Sequence, residues 1–174
     1  MFKKSVTARI NELYSRVKGQ ILVLDGAMGT MLIKEDLDEK DYRGEKFRDH
    51  SVALKGMNDL LNLTKPDTVK AVHHKYLEAG ADILTTNSFN ANYFGLQEHA
   101  LEDCVYEINY QAAQLARETI KHYSGKNSRK TRFIAGTMGP TRKMASISPD
   151  VERPGYRDVH FDELVSAYHE QARG

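Results

Sequence analysis

The first residues whose types and spacing suit chemistry are Asp25-Gly26-Ala27-Met28-Gly29-Thr30. They follow the apolar run Ile21-Leu22-Val23-Leu24, so a carboxylate and two glycines stand where a strand should end. Glycines let backbone N–H groups approach an anion closely, and a helical turn starting there would add its positive end. Asp25 can pair with an ammonium group, or it can order a tight turn by capping its own backbone. Thr85-Thr86-Asn87-Ser88-Phe89 is the second candidate, again after an apolar run. The Asn87 side chain both donates and accepts, so it can orient a zwitterionic ligand. The plainer reading there is a strand-end cap with Phe89 in the core. Gly136-Thr137-Met138-Gly139-Pro140 is the third, where glycines permit either close ligand approach or close packing.

Other chemistries are excluded by spacing. No Lys follows Gly29, so the first turn is not a phosphate-binding P-loop. The position two after Asp25 is Ala27, which removes a paired-aspartate nucleophile. His73 and His74 are adjacent on an expected helix and point apart, whereas a helical metal pair needs i, i+4 spacing. His160 and His169 are too far apart to share a face. Cys104 is the single cysteine, so neither a disulfide framework nor a site of several thiolates can come from this sequence. It precedes an amphipathic helix and reads as a structural thiol. Tyr106 and Tyr110 read as helix packing.

The elements that position these residues follow from periodicity. Val6, Ile10, Leu13, Tyr14 and Val17 predict a helix over 5–18, closed by Gly19. The short apolar run at 21–24 predicts a strand buried on both faces. Residues 34–65 are charged and irregular, and the run at 34–50 is expected to be a solvated loop or, second, a contact with a partner domain. Pro66, Asp67 and the stripe Val69, Val72, Tyr76 and Leu77 predict a helix ended by Gly80. A strand is expected over 81–86, a long helix over 103–122, a polar loop over 124–131 and a third strand over 132–137. A last helix carries Phe161, Leu164, Val165, Tyr168 and Ala172. Strands alternating with amphipathic helices mean an α/β chain with a parallel sheet and crossover connections. All three candidate segments lie where strands end, which is where parallel α/β proteins place their sites.

Composition narrows the classes further. With 25 Lys and Arg against 24 Asp and Glu the formal charge is +1, which argues against a nucleic-acid partner held by bulk charge. No apolar run approaches the roughly 18 residues of a membrane helix. The start, MFKKSVTARI, lacks a signal-peptide apolar stretch, so a cytoplasmic location is expected.

Four runs occur in order: LDGAMGTM, KGMNDLLNLTKPD, EAGADILTTNSFNA and AGTMGPTRKMASISPDVERPGYRDVHFDELVSAY. Together they resemble the homocysteine-binding module of the cobalamin-dependent methionine synthases, within the wider homocysteine methyltransferase family that includes the betaine type. The resemblance covers residues 19–174, and the NDLLNLTKP and SISPD runs are similar to the cobalamin-dependent branch. Related proteins carry an acidic residue where Thr85 or Thr86 stands here.

The resemblance implies a (β/α) TIM-type barrel. A whole barrel takes about 250 residues. Residues 1–174 are therefore expected to form one domain: an N-terminal helix and the first three strand–helix units of a partial barrel. It further implies methionine synthesis from homocysteine, with the methyl group drawn from methylcobalamin and 5-methyltetrahydrofolate through other modules. Zinc held by three cysteine thiolates would keep the substrate sulfur as thiolate. Those cysteines lie beyond position 174 in the family, so this chain is expected to bind no metal and no cofactor and to be inactive alone. The substrate-binding set implied is Asp25, Gly26, Ala27, Gly29, Thr30, Asn87, Ser88, Phe89, Thr137 and Gly139. The competing readings are a cobalamin-independent, betaine-type enzyme and a non-catalytic truncated product.

Overall fold

The computed structural model describes residues 6–127 and 130–174. Eight α-helices and a two-stranded parallel sheet make up its named elements, with two short 3-10 turns. Helix α1 spans Val6–Gly19, α2 Met28–Ile33, α3 Glu39–Arg43, α4 Leu61–Thr64 and α5 Pro66–Glu78. Strand β1 is Ile83–Thr85, followed by α6 Tyr93–Gln97, α7 Val105–Asn127, β2 Phe133–Ala135 and α8 Phe161–Arg173. β1 and β2 pair in parallel with Ile83 opposite Phe133 and Thr85 opposite Ala135.

The expected first strand is reduced to a single parallel bridge, Leu24 to Ile83. A ladder fails there because side chains and shared acceptors replace it. The Val23 N–H donates to the Asp82 carboxylate at 3.0 Å, and the Val23 carbonyl accepts from both Asp82 and Ile83. Nor is this segment buried on both faces, since Ile21 is 91% exposed. Even so, the three segments lie side by side in the expected order, with β1 in the middle. Asp82 itself is buried, which pushes its carboxyl up. Lys130, the Val23 N–H and Arg16 outweigh burial and hold it below the usual carboxylate range.

The irregular segment 34–65 contributes much of the core, and within the run 34–50, expected to be a solvated loop, Tyr42 and Phe47 are buried. Asp38 and Asp41 close a capping box that starts α3. Inside this segment, Arg43 donates to the Val52 carbonyl at 3.1 Å, and Glu39 accepts from the Leu54 and Lys55 amides. Charged side chains thus take up the backbone groups that a loop without ladders leaves unpaired. That frees the chain to bury Tyr42, Leu54, Leu60 and Leu61 against Val69 and Val72 of α5 and against Leu96, Val105 and Ile108. A smaller cluster of Leu77, Ala81 and Leu84 sits behind β1.

The helices depart from expectation at their ends and faces. α7 begins after a 3-10 turn at Glu102–Cys104 and runs to Asn127, so the first half of the expected loop at 124–131 is helical. Residues 128 and 129, like Ser5, lie outside the described residues. α1 buries none of its apolar stripe, and α8 buries Ala167 and Gln171 while Phe161 and Val165 are exposed. No described helix is long and apolar enough to cross a membrane.

His73 of α5 is fully buried, with neither ring nitrogen hydrogen-bonded. Desolvation pushes its pKa down to about 4, so the imidazole is held neutral. A histidine that must charge in acid withdraws stability as pH falls from its unfolded value of 6.5 toward 4. His73→Leu removes that loss. Relative to wild type, the variant should gain about 3 kcal/mol between pH 7 and pH 4. Urea denaturation across that range measures the difference, and a pH-independent difference would contradict the assignment.

Candidate functional site

The strand ends are joined by side chains more than by backbone. Asp25 accepts the Thr85 N–H at 2.9 Å on one carboxylate oxygen and the Thr85 hydroxyl at 2.8 Å on the other. Thr86, Ser88 and Thr137 close a ring of three bonds. The Thr137 N–H donates to Thr86 Oγ1 at 2.8 Å, and Ser88 Oγ donates to the Thr137 carbonyl at 2.9 Å. Those two bonds leave the Thr86 hydroxyl to donate to Ser88 Oγ at 2.7 Å. Gln171 of α8 fastens the same ends from outside, donating to the Ser88 carbonyl at 2.8 Å. The second and third candidate segments are therefore locked together, and the first is tied to them through Asp25.

Each expected site residue takes a definite place in this arrangement. Asp25 is half-buried at the mouth of the turn. Burial pushes its carboxyl up, while the Thr85 hydrogen bonds oppose that shift. Gly26, Ala27 and Thr30 are exposed and Gly29 is half-buried, with α2 opening at Met28. The Tyr76 hydroxyl from α5 lies against Gly26: a methyl group added there would stand 3.7 Å from it. Burial raises the Tyr76 phenol pKa, and the Asp25 charge adds to the rise. Phe89 is 52% exposed instead of in the core. Its ring lies on Gly139, where any β-carbon would overlap the Phe89 carbonyl and approach the ring at 2.8 Å. Gly139 is thus required by packing at the rim.

Asn87 and Ser88 are buried, and several of their polar groups are engaged. Asn87 Nδ2 donates to the Asn58 carbonyl at 2.8 Å, and the Asn87 carbonyl accepts from Asn62 Nδ2 at 2.6 Å. Ser88 belongs to the hydroxyl ring. Both hold the site together from beneath. Of Thr137, the hydroxyl alone is buried without a partner.

The sequence reading missed Tyr42, Asn58, Asp59 and Gln171. The Tyr42 hydroxyl donates to Asn58 Oδ1 at 2.8 Å, and Asp59 Oδ1 accepts the Asn90 N–H at 3.0 Å. The signal was present, since Asn58, Asp59 and Asn62 interrupt an otherwise apolar stretch. A buried polar residue in such a stretch needs a partner, and the partners here are the strand ends. Beside the rim, a cleft of about 480 Å³ is lined by residues of the same loops, including Asn90, His99 and Arg142. It does not include Asp25.

A zinc centre of three thiolates does not fit this donor set. Among the described residues no group of three or more His, Cys, Asp or Glu side chains could hold a metal. Burial pushes the Cys104 thiol up, with Lys46 opposing it. This favours the thiol over the thiolate that zinc requires.

Residues 22–174 match the family model of the homocysteine S-methyltransferases, and the chain belongs to that family. Among solved structures, it is similar to the homocysteine methyltransferase MmuM from Escherichia coli. The metallated form superposes with a TM-score of 0.66 at 21% identity, over 92% of this chain and 51% of that one. The oxidized form gives a TM-score of 0.58 at 26% identity, over 74% of this chain and 40% of that one. The chain therefore spans about half the length of the structures it matches.

Asp59 supplies a test of the network beneath the rim. It is 97% buried by the 3% exposure of its surface, and desolvation raises its pKa to about 6. A carboxyl that ionises later in the folded state binds more protons there. Its contribution to stability is therefore full below the unfolded value of 3.8 and is lost as pH rises through about 6. Asp59→Asn keeps an acceptor for the Asn90 N–H and removes the charge. Relative to wild type it should gain about 2 kcal/mol between pH 4 and pH 7, opposite in sign to the His73 effect. Denaturation midpoints at four pH values measure it, and a difference that does not grow with pH refutes the assignment.

Proposed function

We propose that this chain supplies the homocysteine-binding face of a homocysteine S-methyltransferase of the cobalamin-dependent type. Such an enzyme makes methionine with a methyl group carried by methylcobalamin and replenished from 5-methyltetrahydrofolate. The observation that carries the reading is the convergence of Asp25, the turn at Gly26–Thr30 and the locked ends of the two neighbouring segments at one rim. The NDLLNLTKP run at Asn58–Pro66 and the SISPD run at Ser146–Asp150 favour the cobalamin-dependent branch over the betaine type.

The roles follow from chemistry. Asp25 uses one acceptor site on each oxygen for Thr85, and its remaining lone pairs can take the ammonium group of an amino acid. A cation there would offset the burial that raises its pKa, so the carboxylate is ionised in the complex. The exposed backbone of Gly26 and Ala27 lets the ligand approach without a side chain in the way. Phe89 offers an apolar ring at the rim for the substrate's methylene groups. These residues bind and orient; no residue of this chain is assigned to the activation of sulfur. Zinc, cobalamin and the folate donor belong, in this reading, to other parts of the working enzyme.

Homocysteine titrated calorimetrically into the 174-residue chain should bind. Asp25→Asn should weaken that binding about ten- to hundredfold, the weight of a charge-assisted hydrogen bond. Supplied with methylcobalamin and zinc, the chain alone should form no methionine detectable by mass spectrometry. Absence of homocysteine binding by wild type would refute the site. Zinc-dependent methionine formation would refute the assignment of sulfur activation elsewhere.

A further inference from the structure

We propose that Asn58 is a substrate-contacting residue whose carboxamide N–H reads the carboxylate of the bound amino acid, with Tyr42 as the positioning residue that fixes the amide. The inference rests on the homocysteine reading above and deepens it, since it names what distinguishes an amino acid from a plain amine at this rim.

Geometry carries it. A methyl group built on Gly29 would stand 3.5 Å from Asn58 Nδ2, so the amide nitrogen faces the turn next to Asp25. That nitrogen has no hydrogen bond among the described residues, while every other polar group of Asn58 around the site is occupied. Its Oδ1 accepts the Tyr42 hydroxyl and its backbone carbonyl accepts Asn87 Nδ2, each at 2.8 Å. The Tyr42 phenol donates its proton to Asn58 Oδ1, which fixes the amide with its nitrogen toward the turn. Tyr42 is 4% exposed and fixed in the core. The result is a half-buried donor whose amide oxygen is held by Tyr42, presented to the turn that follows Asp25. Asp25, which precedes Gly26, and Asn58, whose amide nitrogen faces Gly29, thus offer opposite polarities at the two ends of the Gly26–Gly29 segment. That pattern complements the two charges of an α-amino acid head and not those of an amine or a simple acid.

Calorimetry compares homocysteine with 3-aminopropane-1-thiol, which keeps the thiol and the amine and lacks the carboxylate. Wild type should prefer homocysteine. Asn58→Ala should lower homocysteine affinity about tenfold and leave the aminothiol unchanged, erasing the preference. Tyr42→Phe keeps the amide and removes only the hydroxyl that fixes it; it should show the same selective loss, smaller in size. Asn58→Asp should reject homocysteine more strongly than Asn58→Ala, through repulsion of like charges. A cooperative melt for each variant verifies the fold, and Tyr42→Phe decides alone if Asn58 variants do not fold. If wild type binds neither ligand, the homocysteine reading itself fails. If wild type binds both equally, or the variants weaken both equally, the site stands and the role given to Asn58 is overturned.

Discussion

Side-chain hydrogen bonds at the ends of three parallel segments carry the alignment that a longer backbone ladder would otherwise provide. β1 and β2 pair over only three residues, and the third segment contributes a single bridge. Such short ladders fix register weakly. Here Asp25 clamps Thr85, the hydroxyls of Thr86 and Ser88 clamp Thr137, and Gln171 clamps both from α8. The groups that align the backbone are the same groups that define the rim. A substitution at Thr86 or Ser88 consequently disturbs the rim and the fold together.

The segment before α5 shows how charge can serve a core. Arg43 and Glu39 occupy backbone carbonyls and amides that would otherwise need water. With those groups satisfied, Leu54, Leu60 and Leu61 are buried completely. The same segment delivers Asn58 and Asn62 to the strand ends, where they bond Asn87. Core and site share this scaffold, and the opposed titrations of His73 and Asp59 are its signature. One is a base kept neutral and the other an acid kept protonated longer, both by the same loss of water.

Much of the fold was legible where the signal was local. Pro66 and the Val69, Val72 and Leu77 stripe gave α5, and the apolar runs at 83–85 and 133–135 gave the paired strands. The helix–loop core was not legible, because a run dense in Lys, Asp and Glu reads as solvated when each charge is judged singly. The inward face of α8 was not legible for a related reason. Its periodicity is genuine, yet which stripe turns inward depends on Gln171 finding Ser88, 83 residues away. At the candidate site, residue type and position pointed to Asp25 and the glycine turn, which lie at the end of the first segment beside Thr85. Asn87 lies at the same strand end, and its amide nitrogen donates to Asn58 and Asn62.

The sequence by itself determined the long helices α1, α5, α7 and α8, the two paired strands and the family. These depend on periodicity, on glycine and proline conformations and on short runs of residues, all of which act over a few positions. Only the tertiary structure decided which polar side chains serve the backbone and which remain to face a ligand. That choice depends on distances between groups far apart in the chain, such as Tyr42, Asn58 and Asn87, and no local pattern encodes them.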